Sequence, residues 1–367
     1  MHMNPMTVRS YKHAYDVRFV EDFAVALQEC LIPGDVVTID SAVLRLYQGR
    51  LAPLLETTPH IVIDPTEERK SYLGIEPFIS RLIETGFRRN NRLIAFGGGI
   101  IQDITAFIAS ILFRGVDWFY FPTTLLAQCD SCIGSKTSVN FGSHKNQVGN
   151  FYPPKEVVID LRFLDTLSSL DLRSGMGEML HYYLISGEED FARMLREYGR
   201  AFRDRNVLRE LIRHSLDFKR GYVELDEFDQ GPRNVFNYGH SFGHAIETLT
   251  GYAVPHGIAV SIGMDIANYL SLKLGYLSRE LYERMRVLLM KNWGDMHLGD
   301  VVVDEFIRAL TKDKKAVGSE LRVILTRGPG KMFRTPLPLT PEIIEWLSEY
   351  LADFDRPDEE KRVCSHA

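Results

Sequence analysis

Apolar residues in the first 160 positions recur in short, strand-length runs separated by helix-length stretches. Asp35-Val-Val-Thr-Ile-Asp40 and Pro59-His-Ile-Val-Ile-Asp64 are β-rich and end in polar residues. Residues 76–84 then show apolar spacing of helical period. Arg92-Leu-Ile-Ala-Phe96 is an apolar strand running directly into Gly97-Gly98-Gly99, and residues 103–114 are apolar and of helix length. Trp118-Phe-Tyr-Phe121 is a further strand, stopped by Pro122-Thr-Thr. This alternation predicts a mainly parallel sheet covered by helices.

Beyond about residue 162 the pattern changes. Helical periods follow one another at 175–185, 190–202, 207–227, 240–250, 257–274, 279–292, 302–310 and 341–353. One hairpin is expected at 321–325 and 331–334, joined by Arg327-Gly-Pro-Gly330. The division falls near Tyr152-Pro-Pro154 or just after the strand at 157–160, giving an α/β domain over 1–160 and a helical domain over 161–367. The charged residues 356–367 read as a loose tail.

At 367 residues two domains are the natural expectation, and 45% hydrophobic content supports sizeable cores. A net charge of −6 disfavours nucleic acid as a partner but allows a small anionic substrate held by a local basic cluster. There is no apolar run of membrane-spanning length (about 18 residues), and Met-His-Met-Asn-Pro-Met at the start has no apolar signal core. A cytoplasmic enzyme is therefore the class to test. Cys129-x2-Cys132 lacks the second pair of a structural zinc site and reads as two buried thiols.

Candidate chemistry sits in a few segments. The turn Gly97-Gly98-Gly99 between strand and helix suits a phosphate, because glycine lets the backbone approach an anion and the helix start offers free N–H groups. It lacks the G-x-G-x-x-G spacing, and a plain tight turn is the competing reading. Gln128 to Thr137 reads as a loop rich in small residues that delivers Lys136, with Lys145 and Asn146 close behind; a solvated lysine is the alternative there. Gly175-Met-Gly-Glu178-Met-Leu-His181, Arg233-Asn-Val-Phe-Asn237-Tyr-Gly-His240-Ser-Phe-Gly-His244 and His256-Gly257 hold a carboxylate and several imidazoles. Such donors suit zinc with an open coordination position; histidines that are only structural donors are the alternative. His240 and His244 lie one helical turn apart, and H-E-x-x-H is absent, which removes a metalloprotease. Lys219, Arg233 and Asn237 could hold a carboxylate or phosphate.

Taken together, these segments resemble the dehydroquinate synthases and their relatives among the sugar phosphate cyclases. The matching motifs are Gly97-Gly-Gly-x3-Asp103, Pro122-Thr-Thr-Leu-Leu-Ala-Gln-x-Asp130-Ser131, Gly134-x-Lys136-Thr137, Lys145-Asn146-Gln-Val-Gly149 and Asn237-x-Gly-His-x-x-Gly-His-Ala-Ile-Glu247, in family order. The resemblance implies a Rossmann-like α/β domain that binds NAD and a helical domain that binds Zn2+ or Co2+. It assigns the metal to Glu178, His240 and His256. It places NAD against Asp40, Glu67, Lys70, Gly98, Gly99, Asp103, Thr123, Thr124, Asp130, Phe163 and Thr166. Substrate phosphate falls to Lys136, Asn146, Asn237 and His244, with Lys145 beside them and Arg114 reaching across from the other subunit of a homodimer. Lys219 and Arg233 match carboxylate-holding positions, and Lys314 another substrate contact. The implied reaction is redox-neutral: a hydroxyl is oxidised, phosphate is eliminated, the hydride returns and an aldol step closes a carbocycle.

Three positions depart from the family pattern. His181 stands where a lysine touches the reacting end of the substrate, Ser135 where a glycine precedes the lysine, and His144 where a glycine precedes Lys145. Retention of Lys219 and Arg233 favours an acid substrate of the 3-deoxy-heptulosonate 7-phosphate type over neutral sugar phosphates. The alternatives are a specialised cyclase of the amino-dehydroquinate, valiolone or deoxy-inosose type, and a metal-dependent NAD alcohol or glycerol dehydrogenase, which would not need Lys136, Lys145 and Asn146. A binding or regulatory protein descended from a synthase is a further alternative.

Overall fold

The computed structural model describes residues 4–142, 144–299, 301–312 and 320–355. Contacts divide the chain into two units. One holds the chain up to Ser168 together with Ile212–Gln230; the other holds Ser169–Leu211 and the chain from Gly231 onward. The single boundary expected at residue 160 does not describe this division, because the second half of one long helix belongs with the first unit.

The first unit contains strands β1 (Met6–Val8), β2 (Tyr15–Phe19), β3 (Val36–Asp40), β4 (His60–Ile63), β5 (Leu93–Gly97), β6 (Trp118–Pro122), β7 (Lys136–Phe141), β8 (His144–Phe151) and β9 (Glu156–Ile159). Its helices are α1 (Phe23–Cys30), α2 (Ser41–Leu46), α3 (Gln48–Leu55), α4 (Glu76–Glu84) and α5 (Gly99–Ile111). Seven strands form a sheet in the order β1-β2-β9-β6-β5-β3-β4. From β2 to β4 every pairing is parallel, and β1 adds an antiparallel edge. Central β3 and β5 are buried at every position, which explains their continuous apolar runs, whereas edge strand β4 alternates. Phe23, Phe96, Phe121 and Phe163 share one core cluster. Phe96 and Phe121 stack at 4.2 Å, and Phe23 and Phe163 lie at 4.5 Å.

Two expectations change here. The helix expected at 103–114 begins at Gly99 and gives way to a tight 3-10 turn at Leu112–Arg114. The loop expected through Thr137 is a π-helical turn at Ala127–Ser131 and then the start of an antiparallel hairpin, β7–β8. Lys136 therefore stands on a strand. The hairpin escaped notice because its strands are polar and only partly buried, so the apolar periodicity that marks the main sheet is missing.

The second unit is helical: α6 (Ser169–Ser186), α7 (Glu188–Ala201), the start of α8 (Arg205–Leu225), α9 (His240–Leu249), α10 (His256–Lys273), α11 (Arg279–Trp293), α12 (Val303–Lys312) and α13 (Pro341–Phe354). The expected hairpin is present as β10 (Glu320–Thr326) and β11 (Met332–Pro338). Helix α10 is buried on nearly all sides and forms the unit's centre. Among the described residues, no helix is long and apolar enough to cross a membrane.

Candidate metal centre and cofactor site

Each unit carries its own part of the candidate machinery. In the second unit, four glycines bring the metal-ligand candidates together. A Cβ on Gly177 of α6 would lie 1.9 Å from the Gly257 carbonyl oxygen, and one on Gly257 of α10 would lie 1.8 Å from that of Ser174. Only glycine permits such backbone contact between two helices. Helix α9 meets α10 similarly: a Cβ on Gly263 would lie 2.1 Å from the Gly239 carbonyl, and Gly239 adopts φ +79°. Glu178, His240 and His256 are the immediate chain neighbours of Gly177, Gly239 and Gly257.

These contacts place Glu178 Oε1 3.1 Å from His256 Nε2 and 3.5 Å from His240 Nε2. Ligand atoms of the three residues all lie within 4.8 Å of one another. A tetrahedral zinc ion with bonds of ~2.0–2.1 Å requires ligand separations of roughly 3.3–3.4 Å, so the donor set fits. The far nitrogens are also held: His256 Nδ1 lies 2.9 Å from Glu247 Oε2, and His240 Nδ1 lies 3.2 Å from the Tyr238 carbonyl. With protons on both Nδ1 atoms, the two Nε2 atoms would be free to bind a metal ion beside Glu178. Burial alone would raise the Glu178 carboxyl, but His240 and His256 hold it well below the usual range. Burial lowers His256, and Glu178 with Glu247 reverse this and raise it well above an ordinary histidine.

Glu247 closes the last matching motif, but no spacing considered above singles it out. Its place seven residues after His240, two helical turns along α9, is the signal that points to it. His181 is 1% exposed, with its ring 5.1 Å from His240, 5.9 Å from Phe236 and stacked on Tyr238 at 6.2 Å. His244 is exposed, its ring 5.6 Å from those of both His240 and His256. Arg233 is buried, and Asn237 donates to the Asn234 carbonyl at 2.9 Å. Lys314 lies outside the described residues.

In the first unit, candidate residues follow the carboxyl ends of parallel strands, where open α/β sheets bind ligands. Asp40 ends β3, Glu67 and Lys70 follow β4, Gly98 and Gly99 follow β5, Thr123 and Thr124 follow β6, and Phe163 and Thr166 follow β9. The sheet order places β4 on one side of β3 and β5 on the other, so the chain reverses direction across the sheet between β3 and β5. Asp40 and the Gly98 turn flank that switch point. A Cβ on Gly98 would crowd Thr124 at 2.9 Å, whereas Gly99 faces open space at the start of the thirteen-residue α5. This arrangement can hold a phosphate against free backbone N–H groups.

Asp40 caps α2, accepting from Ala42 N at 2.7 Å, and desolvation raises its carboxyl. Phe163 packs its ring in the core, so what it offers a ligand is backbone. Thr166 lies within 3.1 Å of the Tyr47 hydroxyl.

The β7–β8 hairpin draws the remaining residues together. Lys70 Nζ lies 2.5 Å from Asp103 Oδ2, and Ser138 donates to Asp103 from its backbone N at 3.1 Å. The Ser138 hydroxyl donates to Asn146 Oδ1 at 3.0 Å, and Asn140 donates to Glu67 at 2.7 Å. Lys145 lies 3.4 Å from Glu67. Desolvation raises Asp103 against the pull of Lys70; Glu67 is lowered, because Asn140, Lys70 and Lys145 outweigh its burial. Ser138 and Asn140 escaped the sequence reading because only the hairpin register brings them to Asp103 and Glu67.

Lys219 is buried, with Nζ 2.7 Å from Asp130 Oδ1 and 2.8 Å from the Asp130 carbonyl on the π-helical turn. Lys136 pairs with Asp229 at 2.7 Å. Arg114 is exposed and adopts φ +64°. Cys129 and Cys132 are buried, and burial pushes the Cys132 thiol up to about 12.

The chain is 35% identical to the 3-dehydroquinate synthase of Alkaliphilus metalliredigens, over 85% of this chain and 88% of that one. It is 40% identical to that of a Sulfurovum species, over 76% and 78% respectively. A solved 2-epi-5-epi-valiolone synthase from Streptomyces hygroscopicus subsp. jinggangensis, with NAD+ and Zn2+ bound, superposes with TM-score 0.83 at 26% identity, covering 97% of this chain and 100% of that one. A solved 2-deoxy-scyllo-inosose synthase shares the fold, with TM-score 0.81 at 24% identity over 94% of this chain and 100% of that one. Residues 60–174 match the family model for the 3-dehydroquinate synthase N-terminal region and residues 175–316 that for its C-terminal region. The chain is an enzyme that belongs to the 3-dehydroquinate synthase family of sugar phosphate cyclases.

Proposed function

We propose that this enzyme converts a 3-deoxy-heptulosonate 7-phosphate into a dehydroquinate-type carbocycle with elimination of phosphate, using NAD catalytically and a divalent metal, zinc or cobalt. The observation that carries this reading is the group of buried Glu178 and half-buried His240 and His256, whose donor separations suit one metal ion. The valiolone synthase with NAD+ and Zn2+ supports the same pair of cofactors here.

When bound, the metal supplies a Lewis acid for a substrate hydroxyl and NAD supplies a hydride acceptor and donor. Glu247 and the Tyr238 carbonyl keep the ligand imidazoles in one orientation. The Gly98–Gly99 turn and the start of α5 hold the dinucleotide phosphates, and Asp40 stands at the end of β3 beside them in the sheet order. In the first unit Lys136 and Asn146 serve the substrate phosphate and Lys219 its carboxylate. In the second, Asn237 and His244 serve the phosphate, Arg233 the carboxylate and His181 the reacting end. Arg114 and Lys314 are further substrate contacts, Arg114 toward the second copy in a homodimer.

Retention of both carboxylate candidates, Lys219 and Arg233, favours an acid substrate; both are buried, and Lys219 is paired with Asp130. A second reading, a specialised cyclase for a neutral sugar phosphate, is favoured by the buried imidazole of His181 where the family carries a lysine. The deciding experiment measures phosphate release by the NAD- and zinc-loaded enzyme with 3-deoxy-arabino-heptulosonate 7-phosphate and with sedoheptulose 7-phosphate, recording product mass. The proposal expects turnover of the acid to a product of dehydroquinate mass. Turnover of the neutral sugar alone would establish the second reading, and turnover of neither would remove both.

A further inference from the structure

The end of α8 and the loop that follows it carry four carboxylates within six residues: Glu224, Asp226, Glu227 and Asp229. Such a run is an unexpected neighbour for a lysine assigned to phosphate, since fixed negative charge disfavours an incoming anion. The contacts separate the four. Glu224 accepts from the backbone N and the guanidinium of Arg9, each at 3.0 Å. Asp226 accepts from the backbone N of Gln230 at 2.9 Å. Glu227 accepts from the Ser10 hydroxyl at 2.5 Å, from the Tyr11 backbone N at 2.7 Å and from the Ser135 hydroxyl. Asp229 reaches Lys136, with Oδ2 2.7 Å from Nζ.

The loop is anchored so that it presents Asp229 in this way. The Phe228 ring packs on Phe151 at 5.0 Å and on Tyr11 at 5.5 Å, fixing the residue before Asp229. Asp229 itself adopts φ +57°, a left-handed conformation that aspartate tolerates better than most residues. On the other side of the pair, Ser135 adopts φ +56° immediately before Lys136, and Glu227 receives its hydroxyl. Two adjacent left-handed residues on different segments thus bring the lysine and the carboxylate face to face, and Glu227 ties both segments together.

We propose that Asp229 is the resident counter-anion of Lys136: it holds the lysine when no substrate is present and is displaced by the substrate's phosphate group. It thereby sets how tightly the site holds phosphate and how readily it releases the eliminated product. This rests on the assignment of Lys136 to phosphate. A half-exposed pair is worth less than about 1 kcal/mol, so the exchange is easy and the effect on phosphate affinity is a factor of about two to five.

The test uses the full chain loaded with NAD and zinc, with inorganic phosphate as probe, measured as its inhibition constant and by calorimetric titration. Asp229→Asn keeps the left-handed residue and removes the charge; phosphate should bind about two- to fivefold more tightly, and KM should fall without a rise in kcat. A disrupted loop would weaken binding, so a gain is a readout that mere structural damage does not give. Asp217→Asn removes the same charge from the exposed pair with Arg220 on α8 and should leave phosphate affinity unchanged. Lys136→Met tests the underlying assignment and should weaken phosphate binding. If Lys136→Met weakens binding while Asp229→Asn does not strengthen it, or if Asp217→Asn strengthens it equally, Asp229 has no such role although Lys136 keeps its own. If Lys136→Met changes nothing, the assignment of Lys136 fails and the role of Asp229 falls with it.

Discussion

In the helical unit, Glu178, His240 and His256 each neighbour a glycine at which two helices touch backbone to backbone. In the sheet unit, Lys70, Asp103, Ser138, Asn146, Asn140 and Glu67 are joined instead by side-chain ion pairs and hydrogen bonds across a hairpin. The first construction fixes ligand positions through the close packing of rigid elements, which accommodate little change. The second is a network of individually modest contacts, each replaceable at small cost. A metal ion needs donor positions held to fractions of an ångström, whereas a dinucleotide shares its binding among many groups. The difference in construction suits the roles proposed for the two regions.

Substitution at the helix contact should separate the two constructions most sharply. Alanine is intrinsically the better helix former by about 1 kcal/mol, so an exposed glycine changed to alanine would stabilise α6. At Gly177 the added Cβ meets a backbone oxygen at 1.9 Å, which no rotamer change can relieve. Gly177→Ala should therefore lower stability by about 1–3 kcal/mol despite the helix gain, and zinc affinity should fall with it. Thermal unfolding and zinc titration check this; a more stable protein with unchanged zinc affinity would show that the helix contact does not set the ligand positions.

One step outward from the ligands, Glu247→Gln keeps the size of the side chain but weakens the hold on His256 Nδ1. Zinc affinity should fall by about ten- to a hundredfold with the fold intact. Competition with a zinc chelator measures it. An unchanged affinity would mean that packing alone orients His256.

The smallest effect should come from the network in the sheet unit. Ser138→Ala removes the hydroxyl contacts to Asp103 and Asn146 and keeps the backbone donor to Asp103. The expected loss is about 1 kcal/mol, or roughly fivefold in NAD affinity, with zinc affinity unaltered. Fluorescence titration of NAD reads the first quantity. A loss as large as that of Gly177→Ala would overturn the contrast between a rigid centre and a distributed network.

Much of the architecture is legible in the chain. The strands at β3, β4, β5 and β6, and the helices from α6 to α13, follow from apolar period because each buries a run or a face of apolar residues, and burial writes the period into the sequence. The β7–β8 hairpin and the short β1 escape for the opposite reason: with few apolar positions, their pairing depends on partners distant in the chain. Membership of Ile212–Gln230 in the first unit is likewise invisible, since periodicity marks a helix and not what packs against it.

By itself, then, the sequence determined the types of the apolar elements, the glycine turn after β5 and the residue types suited to a metal and to phosphate. Those are local properties, set by side-chain chemistry and backbone freedom. Tertiary structure decided which groups meet: Glu178 with His240 and His256, Lys219 with Asp130, Asn140 with Glu67, and Lys136 with Asp229. Each of these pairs joins residues from separate elements, and the spacing along a chain does not encode a distance that only packing, hairpin register and helix-to-helix contact create.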